Sequence, residues 1–248
     1  MPRFLPLLLA LSLLSGRAVA DELIVSAAAS LTNAFRDAGK LFEAKHPEHK
    51  ATFNFASSDV LLSQIAKGAP VDVFATADSE SMDRAEKQGL LAAGSRRVLL
   101  HNALVLVVPA SSPERVTGLA NLEEATVHRI AIGNPASVPA GRYAREAMQA
   151  AGLWSKLEAK LIYAQNVRQA LDYVAREEVD AALVYATDAA IMPGKVRVAA
   201  DVATATPVVY PIALIGDSRN RALGETFIAF LQSRPVRGVF ERYGFTPL

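Results

Sequence analysis

The sequence predicts an α/β protein made of two doubly wound lobes. Short apolar runs alternate with stretches whose apolar residues recur at helical spacing, from residue 23 to the end of the chain. About eight such runs occur, more than one small sheet usually holds. Two of them, Asn102 to Pro109 and Pro207 to Ile215, are long enough to carry the chain from one lobe to the other. That division gives a discontinuous lobe 1 of residues 21–101 plus 207–248, and a lobe 2 of residues 102–206.

The elements come in this order. Leu23-Ile24-Val25-Ser26-Ala27-Ala28 suits a buried strand. Ser30 then stands where a helix cap would, and Leu31, Ala34, Phe35, Ala38, Leu41 and Phe42 repeat at helical spacing, with Pro47 beyond the end. Thr52 to Ala56 is a second strand, and Ser57-Ser58 turns into a helix carrying Leu61, Leu62 and Ile65 that stops at Gly68. Val71 to Ala75 and Leu104 to Val108 are strands, the latter ended by Pro109. Arg129 to Gly133 is a strand, and Pro139-Ala140-Gly141 opens a helix with Tyr143, Ala147 and Met148. Lys160 to Tyr163 leads to a helix from about Val167, and Asp180 to Tyr185 and Val208 to Ile215 are the remaining strands. Helices around Phe227 to Leu231 and Val236 to Tyr243 close the chain. Alternation of this kind implies mainly parallel sheets.

Composition narrows the function. The 248 residues include 26 basic and 25 acidic ones, 51% are apolar and 21% charged, so the chain folds and carries no electrostatic footprint for nucleic acid. There is no cysteine, which removes disulfides, thiolate metal sites, thiol catalysis and a lipidated cysteine together. Residues 1–20 read as a secretory leader: Arg3, an apolar run from Phe4 to Leu14, and Ala18-Val19-Ala20 as the cleavage site. Ser15-Gly16-Arg17 breaks the run well short of the roughly 20 apolar residues that span a bilayer. An exported, soluble, monomeric protein of the periplasm, without a membrane span, is the expectation. Removing Arg3 and Arg17 leaves it with 24 basic and 25 acidic residues.

Signatures of catalysis are missing: no G-x-S-x-G, no H-E-x-x-H, no phosphate-binding glycine loop. Of four histidines, His46 and His49 flank Pro47-Glu48 in a polar loop that reads as solvated rather than metal-binding. The informative residues are small, neutral and placed at strand-to-helix turns: Ala29-Ser30-Leu31, Ala56-Ser57-Ser58, Pro139-Ala140-Gly141 and Asn166-Val167-Arg168. Ligands of open α/β sheets bind at such turns, beyond the carboxyl ends of strands. The first N–H groups of each helix lack intrahelical partners and the helix dipole adds positive potential there. Several ends meeting in one cleft bind an anion without lysine or arginine. Ser30, Ser58 and the phenol of Tyr185 add hydroxyl donors. Taken singly, each residue is equally at home as a helix cap or a core side chain.

An ordered set of motifs resembles the periplasmic molybdate-binding proteins of ABC transporters. It comprises Ala27-Ala28-Ala29-Ser30-Leu31-Thr32-Asn33, Phe55-Ala56-Ser57-Ser58, Gly68-Ala69-Pro70-Val71-Asp72-Val73-Phe74, Val138-Pro139-Ala140-Gly141-Arg142-Tyr143-Ala144, Asn166-Val167-Arg168-Gln169-Ala170-Leu171, Val184-Tyr185 with Asp188-Ala189, and Arg242-Tyr243-Gly244-Phe245. The resemblance implies a type II periplasmic binding fold whose central cleft closes over molybdate or tungstate. It implies ligand contacts from the hydroxyls of Ser30, Ser58 (ahead of Ser57) and Tyr185, and from the N–H groups of Ala140 and Val167. It also implies delivery to a membrane permease, with molybdate as cargo and no cofactor.

Two features depart from that pattern or complicate it. Ala186 follows Tyr185 where the family often has glycine, and Asp59 beside Ser58 is a potential acceptor that keeps hydrogen phosphate open as a ligand. Asp59 is expected to point sideways to solvent, and Arg142 and Arg168 to be exposed helix residues, with a supporting role open for Arg168. The alternatives are a receptor for sulfate or phosphate, a secreted hydrolase using Ser57 or Ser58 as nucleophile, and a ligand-sensing domain. The hydrolase needs a base, and no histidine lies near in sequence.

Overall fold

A computed structural model describes residues 21–248 apart from Glu114. The leader expected at residues 1–20 lies outside the described residues. In chain order the elements are β1 (Asp21–Ala28), a 3-10 turn at Ala29–Leu31, α1 (Thr32–Lys45), β2 (His49–Ala56), α2 (Ser58–Ala66), β3 (Val73–Ala75), α3 (Ser79–Lys87) and β4 (Arg97–Asn102). Next come β5 (Leu104–Pro109), β6 (Ile130–Gly133), α4 (Pro139–Ala150), α5 (Trp154–Leu157), β7 (Leu161–Ala164), α6 (Val167–Ala175) and β8 (Ala181–Tyr185). The chain ends with α7 (Ala186–Ala190), β9 (Val196–Val202), β10 (Val208–Leu214), α8 (Arg221–Leu231), α9 (Arg234–Arg242) and β11 (Thr246–Pro247). Among the described residues no helix is long and apolar enough to cross a membrane.

The strands form a six-stranded sheet of order β11-β4-β10-β3-β1-β2 and a five-stranded sheet of order β7-β6-β8-β5-β9. Both are mixed rather than mainly parallel. β1 runs parallel to β2 and β3, and β6 parallel to β7 and β8, whereas β10, β4, β11, β5 and β9 join antiparallel. The reason lies in the connections: a parallel neighbour needs a helical crossover, and β4–β5 and β9–β10 pass directly between sheets. Asn102 closes β4 and a single residue, Ala103, separates it from β5, so the run read as one strand from Asn102 is two strands in two sheets.

Register decides where the turns beyond the strands lie. Ala28 pairs with Ala56 and Ala27 with Ala75, so the turns after β1, β2 and β3 are side by side. Gly133 pairs with Ala164 across β6 and β7, which sets the starts of α4 and α6 next to each other. The core supports both groups. All six residues of β5 are buried. α1 packs on β2, and α8 and α9 return from the end of the chain to pack on α1. Phe42 meets the ring of Phe227 edge-on at 5.1 Å, and Phe35 meets Phe240 at 6.0 Å. Gly68 takes the left-handed conformation, φ +86°, that ends α2 where the sequence places the stop.

Gly141 sets how closely α4 approaches the end of β6. A Cβ on it would lie 1.9 Å from the Gly133 carbonyl oxygen, a backbone atom that cannot rotate away. Gly141→Ala is therefore expected to lower the unfolding free energy by about 2 kcal/mol or more, measured by urea denaturation. An unchanged midpoint would mean that α4 can withdraw from β6 without loss.

Candidate functional site

The carboxyl ends of the parallel strands from both sheets face each other across one small cavity of about 10 Å³. Ser30, Ser58, Ala140, Val167 and Tyr185 all line it, together with Ser57, Ala77 and Asn166 among others, and no charged side chain does so among the described residues. The first two come from turns of the six-stranded sheet and the other three from the five-stranded one.

Each position is held by local structure. Ser30 sits in the 3-10 turn before α1 and caps nothing: its hydroxyl lies 3.0 Å from the phenol oxygen of Tyr210. Ser57 is the N-cap of α2 in extended conformation (φ −66°, ψ 149°), yet its hydroxyl makes no capping bond and has no partner among the described residues. Ser58 Oγ accepts the Ala77 N–H at 3.1 Å, which leaves its own proton free. Pro139 occupies the first turn of α4 and brings no N–H of its own. The N–H of Gly141 bonds Val138 O, while that of Ala140 finds no acceptor among the described residues. Asn166 caps α6 by accepting the Gln169 N–H at 3.0 Å and leaves the Val167 N–H unused. Tyr185 ends β8, 1% exposed, and its phenol donates to Ala77 O at 3.4 Å. Burial holds that phenol well above its usual value, with Tyr210, Tyr143 and nearby carboxylates adding to the effect, so it is a donor at any physiological pH. Ala186, where a glycine was noted as frequent, opens α7 with its N–H on Ala103 O at 2.9 Å, and Tyr185 reaches the cavity all the same.

The charged residues beside these turns are not where the sequence suggested. Asp59 does not point to solvent: its side chain is 8% exposed and both oxygens are occupied. Arg142 reaches from α4 to Asp59 Oδ2 at 2.8 Å, to Asp78 Oδ2 at 2.5 Å and to Ser81 Oγ at 3.0 Å, and Arg84 also pairs with Asp59. Burial works against the Arg142 charge, but the Asp78 and Asp59 carboxylates outweigh it and hold the guanidinium well above its usual value. Arg168 is likewise inward. It donates to Asn33 Oδ1 at 2.8 Å and to the Ser30 carbonyl at 3.0 Å, while its Nε lies 2.5 Å from the fully buried carboxylate of Asp188. Both arginines thus bridge helices of the five-stranded sheet to turns of the six-stranded one. Position next to a polar turn favoured exposure in the sequence; the partners that bury these side chains lie far away along the chain.

Sequence reasoning missed Ala77, which gives its N–H to Ser58 and its carbonyl to Tyr185. The signal was present in Asp78-Ser79-Glu80-Ser81, a cap followed by an acidic first turn, which marks a further strand-to-helix turn. It also missed Tyr210, which stands behind Ser30 and Tyr185, and Asn102, which bonds Tyr210. His46 and His49 contact the Glu48 carboxylate, and among the described residues no group of three or more potential ligands can hold a metal ion.

A family model described as bacterial extracellular solute-binding protein matches residues 23–246. The chain is 38% identical to the molybdate-binding protein ModA of Escherichia coli over 239 residues, 94% of this chain and 92% of that one. Among solved structures, the periplasmic molybdate-binding protein of Azotobacter vinelandii superposes with a TM-score of 0.79 at 24% identity, covering 90% of this chain and 98% of that one. The sulfate-binding protein SubI of Mycobacterium tuberculosis superposes at 0.81 with 14% identity, covering 92% and 87%. These neighbours share the two-lobed α/β architecture, and their different ligands show that the fold alone does not select the anion.

Asp188 gives a pH test of the seam. Burial pushes its carboxyl up from 3.8 to about 6, against the pull of Arg168 and of the Tyr185 N–H. Between those two values the folded protein holds a proton that the unfolded chain releases, so stability falls as pH rises through that window. The stability of the wild type relative to Asp188→Asn is expected to decline by up to roughly 3 kcal/mol between about pH 4 and about pH 7, read from denaturant titrations. A difference that stays flat would show that Arg168 keeps the carboxylate ionised throughout.

Proposed function

The chain belongs to the bacterial extracellular solute-binding proteins, and from that membership we propose that it captures molybdate between its two sheets and passes it to an ABC transporter. The observation that carries the reading is the cavity itself: five groups able to donate, drawn from two sheets, surround one small space with no charged side chain in its wall among the described residues. Tungstate, close to molybdate in size and charge, fits the same reading. Residues 21–101 with 207–248 act as one lobe and 102–206 as the other, and the strand pairings support that division except at Asn102, which pairs with Val208 in the six-stranded sheet. The protein works outside the cytoplasmic membrane, in the periplasm, with its leader removed after Ala20.

A dianion entering this site exchanges water for fixed dipoles. Ser30 and Ser58 supply hydroxyl protons from one lobe, and Ala140, Val167 and Tyr185 supply N–H and O–H groups from the other. No donor has to be deprotonated, only the Tyr185 hydroxyl has to turn from the Ala77 carbonyl, and the starts of α2, α4 and α6 add the favourable potential of their first turns. Because neither lobe holds the full set, the closed form binds better than the open one, and the ligand shifts the equilibrium by that difference. Sulfate has the same charge and shape with shorter bonds to oxygen, so it reaches fewer donors at once. Hydrogen phosphate needs an acceptor for its proton, and Asp59 is committed to Arg142, Arg84 and Ser81. The hydrolase alternative lacks support as well: among the described residues Ser57 Oγ has no partner and Ser58 Oγ accepts from a backbone N–H, so neither touches a general base there.

Calorimetry and thermal unfolding with molybdate, tungstate, sulfate and phosphate test the reading. Molybdate at about 100 times its dissociation constant is expected to add about 2.7 kcal/mol of stability, with sulfate and phosphate adding less at equal concentration. Equal or tighter binding of sulfate or phosphate would refute the assignment. Ser30→Ala and Ser58→Ala should each weaken molybdate binding by about 1.5–3 kcal/mol, since each strips a donor from a desolvated anion. Unchanged affinity in both would remove these serines from the site.

A further inference from the structure

Ser30 lines the cavity, but nothing in its own turn decides whether its hydroxyl gives or takes a hydrogen bond. The answer lies in two residues that the binding reading does not use. Asn102 ends β4, where the chain passes between the sheets, and Tyr210 lies on β10, the strand that brings the chain back. Asn102 Oδ1 accepts the Ala103 N–H at 2.9 Å, which fixes the orientation of the amide. Its Nδ2 therefore faces the other way and donates to Thr187 Oγ1 at 2.8 Å and to the Tyr210 phenol oxygen at 3.1 Å. Tyr210 is 1% exposed, and its oxygen lies 3.0 Å from Ser30 Oγ.

The direction is settled by counting protons. The Tyr210 oxygen already accepts from Asn102. If it accepted from Ser30 too, its own proton would be buried without an acceptor, because Ser30 Oγ is the one acceptor beside it among the described residues. The phenol keeps that proton, since burial and the nearby Asp188 charge hold it well above its ordinary value. Tyr210 therefore donates to Ser30, and the Ser30 proton is left to face the cavity. Ser58 reaches the same state by another route, accepting from the Ala77 N–H.

We propose that Tyr210, oriented by Asn102, is a positioning residue that makes Ser30 an obligate hydrogen-bond donor to the bound oxyanion. This rests on the oxyanion-binding reading of the cavity. It also ties the polarity of the site to the two strands that connect the lobes. A serine held as a donor offers no acceptor to an anion that carries a proton, so the relay contributes to selection against such ligands.

The test is a double-mutant cycle read by calorimetry with molybdate on the wild type, Ser30→Ala, Tyr210→Phe and the double variant. Absence of molybdate binding by the wild type would dispose of the oxyanion reading itself. Given wild-type binding, Tyr210→Phe keeps the ring against Tyr185 and Phe245 and is expected to weaken binding about tenfold. The double variant should bind no worse than Ser30→Ala alone, within about twofold. A purely structural tyrosine would instead give losses that multiply, and that result, or wild-type affinity in Tyr210→Phe, would overturn the proposal. Should Tyr210→Phe fail to fold, Asn102→Ala enters the same cycle with Ser30→Ala and the same two outcomes decide.

Discussion

The organisation of this molecule depends on hydrogen-bond donors that helix starts cannot use themselves. An α-helix leaves its first N–H groups without carbonyl partners, and register brings several such starts to one place. Ala28 opposite Ala56 and Gly133 opposite Ala164 line up the ends of neighbouring strands, and each chain then turns at once into a helix. Pro139 and the Asn166 cap trim the surplus, so that Ala140 and Val167 are left with N–H groups to offer. The close contact of Gly141 with Gly133 carries the α4 start to the wall of the cavity. Small side chains in these turns are a consequence, since larger ones would fill the space that the donors face.

The treatment of charge is complementary. Full charges surround the cavity at one remove, and they are paired with one another. Arg142 meets Asp59 and Asp78, and Arg168 meets Asp188. An arginine in the wall would attract every anion, protonated or not, whereas neutral donors reward the number of oxygens reached and their spacing. The pairs have a second consequence. Arg142 and Arg168 both cross from one sheet's helices to the other sheet's turns, and Arg168 holds the carbonyl of Ser30 itself. Buried pairs of this kind contribute little net stability, but breaking one leaves a stranded charge. They therefore favour one relative placement of the two halves, the placement in which the cavity is complete.

How much of this the sequence carries depends on the range of each interaction. The turns at Ser30, Ser57-Ser58, Pro139-Ala140 and Asn166-Val167 are local events, an apolar strand followed at once by helix punctuation, and they can be read directly. α3 escapes because its sequence, SESMDRAEK, buries only Ser81, Met82 and Ala85 and so shows a thin apolar face. β9 escapes because it is an edge strand with mostly half-buried residues, and β4 because it opens with exposed Arg97 and Val98. The antiparallel strands result from how the chain passes between sheets, which no window of sequence records. Asp59 and Arg142 lie 83 positions apart and Ser30 and Tyr210 180 apart. Residue type at either end says nothing about such a meeting, so Tyr210 reads as one more core aromatic and Arg142 as a solvated helix residue.

The same long-range meetings explain why the site belongs to the junction of the lobes and to neither lobe alone. Asn102 ends the strand by which the chain leaves the first sheet, and Tyr210 lies on the strand by which it returns. Asn102 bonds Thr187, two residues beyond Tyr185, as well as Tyr210, so one amide at the crossover touches the supports of donors from both halves. A rotation of the lobes that separates Ala140 and Val167 from Ser30 also pulls Arg168 from the Ser30 carbonyl and strains the Asn102 contacts. Completing the cavity and aligning its protons are then one event. On the oxyanion reading, an anion that engages only part of the donor set leaves that event incomplete, so discrimination would arise from closure as much as from any single contact.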